Sequence, residues 1–269
     1  MKITITPVRH LTGEVGIPGD KSISHRGVML GSLSRGTTVL THFLMGEDCL
    51  GTIRAFRSMD TDIRIEKNGA DHSGTVRING NGLRGLKKPD GILDVGNSGT
   101  TARLLTGILA GQPFSSVMDG DASLRKRPMT RVTNPLAQMG ADIRAEENGT
   151  LPLTIRGGRL KGIDYTILLA SLYADSPTTI RQPARSRNHT EIMLNYFGGN
   201  IREDGTVLTS WPAQELYGRE LRIPGDISSA AFFLTAGLLV PKSRIVMKGV
   251  GLNPTRTGIV DVYRRMGAR

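Results

Sequence analysis

The sequence predicts an α/β protein (α+β in some schemes) built from tandem copies of a helix–strand–helix–strand unit. Four segments each combine a β-branched strand, an amphipathic helix and a closing Met-Gly or Phe-Gly. Each of these segments follows another helix that is mostly aliphatic. Gly140, Gly198 and Gly267 stand where a helix C-cap is expected. Helices alternating with strands in tandem indicate helices packed on sheets.

The four copies can be followed along the chain. The strand-and-helix segments are TTVLTHFLMGEDCLGTIRAFRSMDTDI, SSVMDGDASLRKRPMTRVTNPLAQMGADI, TTIRQPARSRNHTEIMLNYFGGNI and SRIVMKGVGLNPTRTGIVDVYRRMGA. The aliphatic helices before them are SISHRGVMLGSLSRG, SGTTARLLTGILAG, ILLASLYAD and ISSAAFFLTAGLLV. Apolar residues at helical spacing predict the buried faces, as in Ile53 and Phe56 of the first copy and Ile192, Leu194 and Phe197 of the third.

The third copy is the irregular one. Three aliphatic helices begin with the turns PGDKSIS, GNSGTT and PGDISS, whereas GIDYT runs directly into ILLASLYAD. The closing Met or Phe lies at positions 59, 139, 197 and 266, and the shortest interval contains this short helix. We therefore expect about ten residues to be missing between Thr166 and Ile167. The last copy stops at VYRRMGAR, so we also expect the chain to be incomplete at its C-terminus.

The composition narrows the class of protein. A net charge of +11 and a pI near 10.2 favour an anionic partner. The basic residues are scattered and only 4% of residues are aromatic, so small phosphorylated or carboxylated ligands fit as well as nucleic acid. The single Cys49 excludes a disulfide framework. The most apolar stretch is too short to span a bilayer, and the N-terminal MKITITPVRHL alternates like a strand, so we expect a cytoplasmic protein.

The first candidate site is the start of the first helix, PGDKSISHRG. A helix N-terminus offers unpaired N–H groups and the positive end of the helix dipole, which together favour an anion. Ser22 or Ser24 could cap the helix or bond a ligand oxygen, while Lys21 and Arg26 add full charges. An ordinary capped helix with solvated charges is the alternative interpretation.

The second copy repeats this arrangement in DVGNSGTTARLL. Asn97, Ser98, Gly99 and Thr100 form the predicted turn and cap, and Arg103 lies in the first helical turn. Glycine at this place lets a ligand approach the backbone closely. A plain Asn or Ser cap is again the alternative.

Two further polar stretches precede helices. GDASLRKRPMTR groups four cations around a proline predicted at the first helical position, and a solvated surface is the ordinary interpretation. ARSRNHTEIML places Ser186, Arg187 and His189 at the N-terminus of a helix, which we call the mouth of that helix. Asn188 or Thr190 is the predicted cap, and His189 is predicted to be a surface residue. If these mouths point inward, one cavity could hold more than one anionic group. Metal-ligand spacings, Walker loops and Rossmann fingerprints are absent from the sequence.

At these residues the sequence closely resembles the 5-enolpyruvylshikimate-3-phosphate synthase family of enolpyruvyl transferases. The matching stretches are PGDKSISHR, GNSGTTARLL, GDASLRKRPM, SRNHTEIML and PGDISSAAFFLTAGLL, in the family's order and over essentially the whole chain. The implied fold is an inside-out α/β barrel of repeated βαβαββ-type units, in two domains that close over the substrates. With crossings near Gly13 and Pro224-Gly225, we expect residues 14–224 to form the first domain, on the shikimate 3-phosphate side. Residues 1–13 and 225–269 would be a fragment of the second.

The resemblance also implies an activity. The enolpyruvyl group of phosphoenolpyruvate is transferred to the 5-hydroxyl of shikimate 3-phosphate, with release of phosphate, on the pathway to chorismate and the aromatic amino acids. It implies no metal and no organic cofactor. The expected partners are these two small molecules alone, without nucleic acid or membrane, and the expected state is a monomer.

Site residues follow by position in the matching motifs. The resemblance implies that Lys21 contacts both substrates and that Ser22 and Arg26 contact shikimate 3-phosphate, with Ser186 and Arg187 near the shikimate phosphate. It implies that Gly99, with Asn97 and Thr100 beside it, lines the phosphoenolpyruvate pocket. Arg127 would bind the phosphate of phosphoenolpyruvate. The family's Ser-Ala-Gln-Val-Lys-like stretch would belong before Ile167. Its acid and base residues lie beyond Arg269, so the catalytic residues stay unassigned and we expect little turnover from these residues alone.

Alternative functions remain. A catalytically incomplete fragment that binds shikimate 3-phosphate would need the first domain only. The related transferase acting on UDP-N-acetylglucosamine carries a cysteine in the loop that corresponds to GDASLRKRPM, and this loop has none. Nucleic-acid binding rests on charge alone.

Overall fold

A computed structural model describes residues 4, 6–67, 73–163, 168–184 and 186–268. The α-helices within these residues are α1 (Lys21–Leu33), α2 (Glu47–Arg57), α3 (Gly99–Ala110), α4 (Thr130–Gln138), α5 (Leu168–Ser171), α6 (His189–Tyr196), α7 (Ile227–Leu239) and α8 (Gly258–Arg265). The strands are β1 (Thr12–Glu14), β2 (Arg35–Leu44), β3 (Asp62–Lys67), β4 (Ser73–Asn81), β5 (Leu93–Asp94), β6 (Ser115–Asp119), β7 (Asp142–Arg144), β8 (Leu153–Arg156), β9 (Thr178–Arg181), β10 (Asn200–Asp204), β11 (Val207–Trp211), β12 (Glu220–Arg222) and β13 (Arg244–Val246).

The copies predicted from the sequence recur as similar sheets. The first has the strand order β12-β2-β4-β3 and the second has β5-β6-β8-β7, and in both the first pair is parallel and the others are antiparallel. The third copy forms the antiparallel sheet β10-β11-β9, and β1 pairs in parallel with β13 in the fourth. The predicted α/β class and its repeats are therefore confirmed, as four separate sheets within the described residues.

Two strands, β1 and β12, each pair with a strand of a copy that is distant in the chain; we call this pairing the strand exchange. β12 follows the third copy in the chain but pairs with β2 of the first, with Leu221 opposite Leu40. In the same way β1 precedes the first copy but pairs with β13 of the fourth, with Gly13 opposite Ile245. The two connecting segments lie side by side because a bridge joins Gly19 to Gly225. This exchange lies beside the predicted chain crossings, while the domain boundaries themselves stay a prediction.

Helix ends follow local chemistry. Gly140, Gly198 and Gly267 have φ values of 90°, 103° and 92°, so each lies in the left-handed region that terminates a helix, as predicted. The predicted N-cap of α1 is wrong, since Asp20 and not Ser22 or Ser24 caps it. The Asp20 carboxylate accepts the N–H of Ile23 at 2.9 Å, because Asp20 is the last residue before the helical backbone begins.

Most of the apolar interior forms one large cluster. Its largest fully buried side chains include Phe43, Phe56 and Phe197, and it is built from the first three copies. A smaller cluster around Ile17, Ile227 and Ala230 belongs to the fourth. Consequently the two ends of the molecule differ in how much of their apolar surface is buried.

Ile192 was predicted in the buried face of α6 and is 54% exposed. Its neighbour Met193 is buried instead, because Met193 lies four residues before Phe197 and so shares its face of the helix. Leu194 and Phe197 are buried as predicted.

Two local predictions concern the N-terminus and a turn. Residues 1–3 and 5 of the N-terminal stretch lie outside the described residues, 4 and 6–11 form no strand, and β1 begins at Thr12, where it pairs with β13. Pro128 does not open a helix, since a 3₁₀ turn at Leu124–Lys126 precedes it and α4 begins at Thr130.

The third copy differs from the first two in its sheet, which has three described strands where theirs have four. α5 is described over Leu168–Ser171, and the four residues before it lie outside the described residues. The predicted gap between Thr166 and Ile167 lies outside the described residues. Among the residues that are described, no helix has both the length and the hydropathy needed to cross a membrane.

Candidate anion-binding site

The mouth of α1 carries the two cations expected there. Lys21 is exposed and pairs with Asp48 in the first turn of α2. Arg26 is half-buried, and its Nε donates to the Thr190 hydroxyl at 2.7 Å while its Nη1 donates to the Ser22 carbonyl at 3.1 Å. Burial lowers the pKa of Arg26, opposed by the nearby carboxylate of Glu191. One guanidinium thus links α1 directly to α6.

The mouth of α6 lies against the mouth of α1. Arg187 Nη1 is 3.5 Å from the Ser22 hydroxyl oxygen, which it approaches as a donor. The Ser186 amide and hydroxyl both donate to the Gln182 side chain, at 3.0 and 2.8 Å. Asn188 occupies the N-cap position without a side-chain cap bond, and its side-chain Oδ1 accepts from Asn253 Nδ2 at 2.7 Å. Arg187 and Ser22 therefore join the two mouths a second time.

His189 is not the surface residue that the sequence suggested. It is 7% exposed, and it lines a small cavity of about 290 Å³ together with Asp20 and Ile227. It lies at the start of α6, where Arg26 of α1 bonds to the neighbouring Thr190. Burial is the main cause that lowers the pKa of His189.

The mouth of α3 is the second cationic centre. Ser98 is the N-cap as predicted, with its hydroxyl accepting the Thr101 N–H at 3.2 Å. Arg127 Nη2 donates to the Asn97 side chain at 2.7 Å. A Cβ added to Gly99 would lie 2.9 Å from Arg103 Nη1 and 3.2 Å from Arg127 Nη1. The terminal nitrogens of two arginines thus lie close to the backbone at the first helical residue.

These two arginines are available to an external anion. Neither Arg103 nor Arg127 forms an ion pair with a carboxylate of the described residues. By contrast, Arg125 pairs with Asp119, and its hydrogen bond lowers the pKa of that carboxyl group. Within the basic run, Arg127 is thus the side chain that lies against the α3 mouth.

A cavity of about 440 Å³ lies between α3, α6 and β9. Its polar lining includes Arg103, Ser186, Arg187, Thr190 and Glu191, and apolar side chains from α3, α4, α5 and the third sheet complete it. Glu191 is buried with one carboxylate oxygen unpartnered, and this burial raises its pKa. The cavity combines cationic groups with one shielded acid.

The predicted residues are thus partly brought together. Ser22 and Arg26 bond to the mouth of α6, and Ser186 and Arg187 line the cavity. A second group, outside this lining, consists of Lys21, Asn97, Gly99, Thr100 and Arg127.

The cavity lining also contains Arg103, Thr190 and Glu191, which are not among the substrate contacts that the resemblance implies. Arg103 lies four residues after Gly99 and so on the same helical face. The burial of Thr190 and Glu191 depends on contacts between distant copies, which local pattern does not reveal.

Fold and site together define a class: a repeat-built α/β protein with a candidate site for small anions at its helix N-termini. Two arginines at this site, Arg103 and Arg127, pair with no carboxylate of the described residues. Among the described residues, no cluster of three or more His, Cys, Asp or Glu could hold a metal ion.

Comparison with known proteins gives the family. EPSP synthase (3-phosphoshikimate 1-carboxyvinyltransferase) matches residues 5–269. Proteins named 3-phosphoshikimate 1-carboxyvinyltransferase are 54% identical in Desulforudis audaxviator, over 100% of this chain, and 53% identical in Bacillus subtilis, over 97%. An EPSP synthase structure from Acinetobacter baumannii superposes with a TM-score of 0.88, at 44% identity over 96% of this chain. The chain belongs to the EPSP synthase family.

The chain is shorter than these relatives. It spans 64% and 63% of the two sequences and 60% of the solved chain. The alignment with the Desulforudis protein runs over 281 positions against 269 residues here, so at least 12 positions of that relative have no counterpart. This surplus is similar in size to the loss expected in the third copy.

Proposed function

We propose that the protein acts as a 3-phosphoshikimate 1-carboxyvinyltransferase, and that this chain provides most of the binding surface for shikimate 3-phosphate. The observation that carries the proposal is the double contact between helix mouths, Arg26 with Thr190 and Arg187 with Ser22. These contacts hold two guanidinium groups of different copies beside one cavity. Phosphate and carboxylate groups are the ligands that such guanidinium groups bind best.

The substrates divide between two groups of residues. Ser22, Arg26, Ser186 and Arg187 bind shikimate 3-phosphate at the α1 and α6 mouths. The phosphoenolpyruvate phosphate lies at the α3 mouth, where Arg127 donates to it and where Gly99, Asn97 and Thr100 leave room for close approach.

Lys21 contacts both substrates by releasing Asp48, its partner in the free protein. The lysine is exposed and is the first residue of α1. An ammonium group with rotatable donors can turn from the carboxylate to a ligand at small cost.

In the reaction, the oxygen of the 5-hydroxyl of shikimate 3-phosphate adds to C2 of phosphoenolpyruvate as the hydroxyl loses its proton and C3 gains one. Loss of a proton from C3 then restores the C2–C3 double bond and expels phosphate from the tetrahedral intermediate. Cationic groups fixed before the reaction stabilise the charge that develops on the phosphate and the carboxylate. We assign the proton transfers to none of the described residues. No cofactor takes part, and the protein works as a cytoplasmic monomer.

A binding role without turnover is the second candidate for this chain by itself. The observation that favours it is the span of 60–64% of the relatives' length. Under this proposal, the 269 residues hold shikimate 3-phosphate, whereas turnover needs the rest of an EPSP synthase.

Titration calorimetry with shikimate 3-phosphate tests the binding surface. Arg26→Lys keeps the charge but loses the planar fork, so we expect affinity to fall about tenfold. Arg54→Ala is the matched control because Arg54 is exposed on α2 and pairs only with Glu47, so its affinity should stay within about twofold of wild type.

Phosphate release from phosphoenolpyruvate, with and without shikimate 3-phosphate, separates the enzyme from the binding fragment. Binding without release supports the fragment. Absence of binding by the wild type, or equal losses in Arg26→Lys and Arg54→Ala, would contradict the proposed site.

A further inference from the structure

Four buried polar side chains connect α1, α2 and α3. His25, Thr52, Thr101 and Ser98 are each 0–1% exposed. His25 Nδ1 lies 2.7 Å from the Thr52 hydroxyl oxygen, which lies 2.8 Å from the Thr101 hydroxyl oxygen. The Thr101 hydroxyl in turn donates to the Ser98 oxygen at 2.7 Å. We call these four residues the hydroxyl relay.

The geometry fixes the direction of the hydroxyl relay. A hydroxyl has one hydrogen, so Thr101, which donates to Ser98, must accept from Thr52. The Thr52 hydrogen is then committed to Thr101, and the 2.7 Å contact with His25 requires a hydrogen on Nδ1. A carbonyl of Asp48 also lies near Thr52, but at 3.3 Å it is the weaker acceptor.

Ser98 is the last residue in this direction. Its oxygen accepts both the hydroxyl and the backbone N–H of Thr101, so both of its lone pairs are used. Its own hydrogen has no acceptor among the described residues. Ser98 caps α3 beside Gly99, where the guanidinium groups of Arg103 and Arg127 meet. A buried donor without an acceptor at a cationic helix mouth indicates an anionic acceptor that binds there.

We propose that the hydroxyl relay donates in one direction, from His25 through Thr52 and Thr101 to Ser98, and directs the Ser98 hydroxyl hydrogen at the phosphate of a ligand bound at the α3 mouth. The ligand part rests on the proposed function. Ser98 is then a binding residue, whereas His25, Thr52 and Thr101 are positioning residues that act through it. Chains of hydrogen bonds in a shielded interior polarise one another, which strengthens the last donor.

The state of His25 agrees with this direction. Its Nε2 is buried and has no partner among the described residues, which suits an unprotonated nitrogen. Burial is the main cause that lowers the pKa of His25 to about 4, with Lys21 and Arg26 acting in the same direction and Asp48 against them. The ring is therefore neutral at physiological pH, with its single hydrogen free to sit on Nδ1.

Nitrogen-15 NMR of the histidine-labelled full chain tests the direction without any ligand. We expect His25 to be the tautomer protonated at Nδ1 at pH 7. Protonation at Nε2 would overturn the proposal, whatever the substrate of the protein is.

Calorimetric titration with phosphoenolpyruvate, and with inorganic phosphate as a second probe, tests the delivery to a ligand. Thr101→Val removes the hydroxyl at nearly constant volume, and we expect affinity to fall between about threefold and tenfold. Thr101→Ser restores the donor and should stay within about twofold of wild type. The matched control is Thr106→Val, which removes another buried hydroxyl of α3, bonded only to the Ala102 carbonyl.

Urea unfolding of each variant separates loss of affinity from loss of fold. Equal affinities of Thr101→Val and Thr106→Val would overturn delivery to the ligand. If the wild type binds neither probe, the anion site of the proposed function fails together with delivery, and the tautomer still decides the direction of the hydroxyl relay.

Discussion

The first and fourth copies begin with the same turn and helix cap, but their first helices are buried to different extents. In both, a Pro-Gly-Asp turn leads into a 13-residue helix capped by the aspartate. In α1 nine of the 13 residues are buried, whereas in α7 only Ile227 and Ala230 are buried. Helix formation is thus set locally by cap and turn, while burial depends on which other elements are present to cover the helix.

The exposed side of α7 is strongly apolar. Phe232 is 79% exposed and Leu239 is 76% exposed, and α8 contributes no buried residue at all. The first three copies contribute three sheets, whereas the fourth contributes, among its described residues, the two-stranded pair β1–β13. An apolar helix in so small a unit buries little apolar surface when it folds. The same substitution should therefore change the free energy of unfolding by different amounts in the two regions.

The largest expected difference concerns aromatic side chains. Phe56→Ala empties a fully buried site in the large cluster, so it should lower the free energy of unfolding by about 3–5 kcal/mol. Phe232→Ala on α7 should change it by less than about 0.5 kcal/mol, because that ring is already in water. Urea denaturation followed by circular dichroism measures both. A comparable cost at Phe232 would mean that α7 is covered in solution.

A smaller difference between the two regions is expected in how the free energy of unfolding depends on pH. Unfolded His25 binds a proton near its ordinary pKa of 6.5, whereas in the folded protein it stays neutral down to about 4. The unfolded state therefore binds more protons between these values, and stability falls as the pH falls from 6.5 towards 4. Lowering the pH from 6.5 to 5 should cost about 2 kcal/mol through this residue.

Comparing wild type with His25→Asn in urea at the two pH values isolates this contribution. His10→Asn serves as the control, since His10 is exposed ahead of β1. The described part of the fourth copy contains no histidine, so the pH effect should belong to the first three copies. An equal acid response in wild type and His25→Asn would contradict this assignment.

The smallest expected difference lies between the two equivalent caps. Asp20 is buried and accepts from Ile23, whereas Asp226 lies in the more exposed turn and accepts from Ser228 at 2.8 Å. Asp20→Ala should cost about 1–2 kcal/mol and Asp226→Ala about 0.5 kcal/mol. Thermal unfolding of the two variants measures the order, and a larger loss at Asp226 would reverse it.

The sequence predicted the features that depend on short spacing. The repeats, the glycine C-caps at Gly140, Gly198 and Gly267 and the Ser98 cap all rest on residues close in the chain. The resemblance of five motifs indicated the family that the comparisons show. Local pattern could also place basic side chains at the mouths of α1, α3 and α6.

What the sequence missed depends on contacts between copies. The burial of His189 and Glu191, and the bond from Arg26 to Thr190, arise only when α6 packs on α1. Exchange of β1 and β12 leaves no local signal, because each strand has an ordinary sequence and an unexpected partner. The Asp20 cap was missed for a different, local reason, because Asp20 is the last residue before the helical backbone begins and so precedes both serines.

The exchanged strand β12 sets an order of events for a chain emerging from the ribosome. The outer edge of β2 at Val39–Thr41 waits for Glu220–Arg222 to be synthesised. At about 5–20 residues per second, that wait lasts on the order of 10–35 s. During it the strand edge is unpaired, and such edges recruit other chains. We therefore expect nascent chains to be most prone to association before β12 is made.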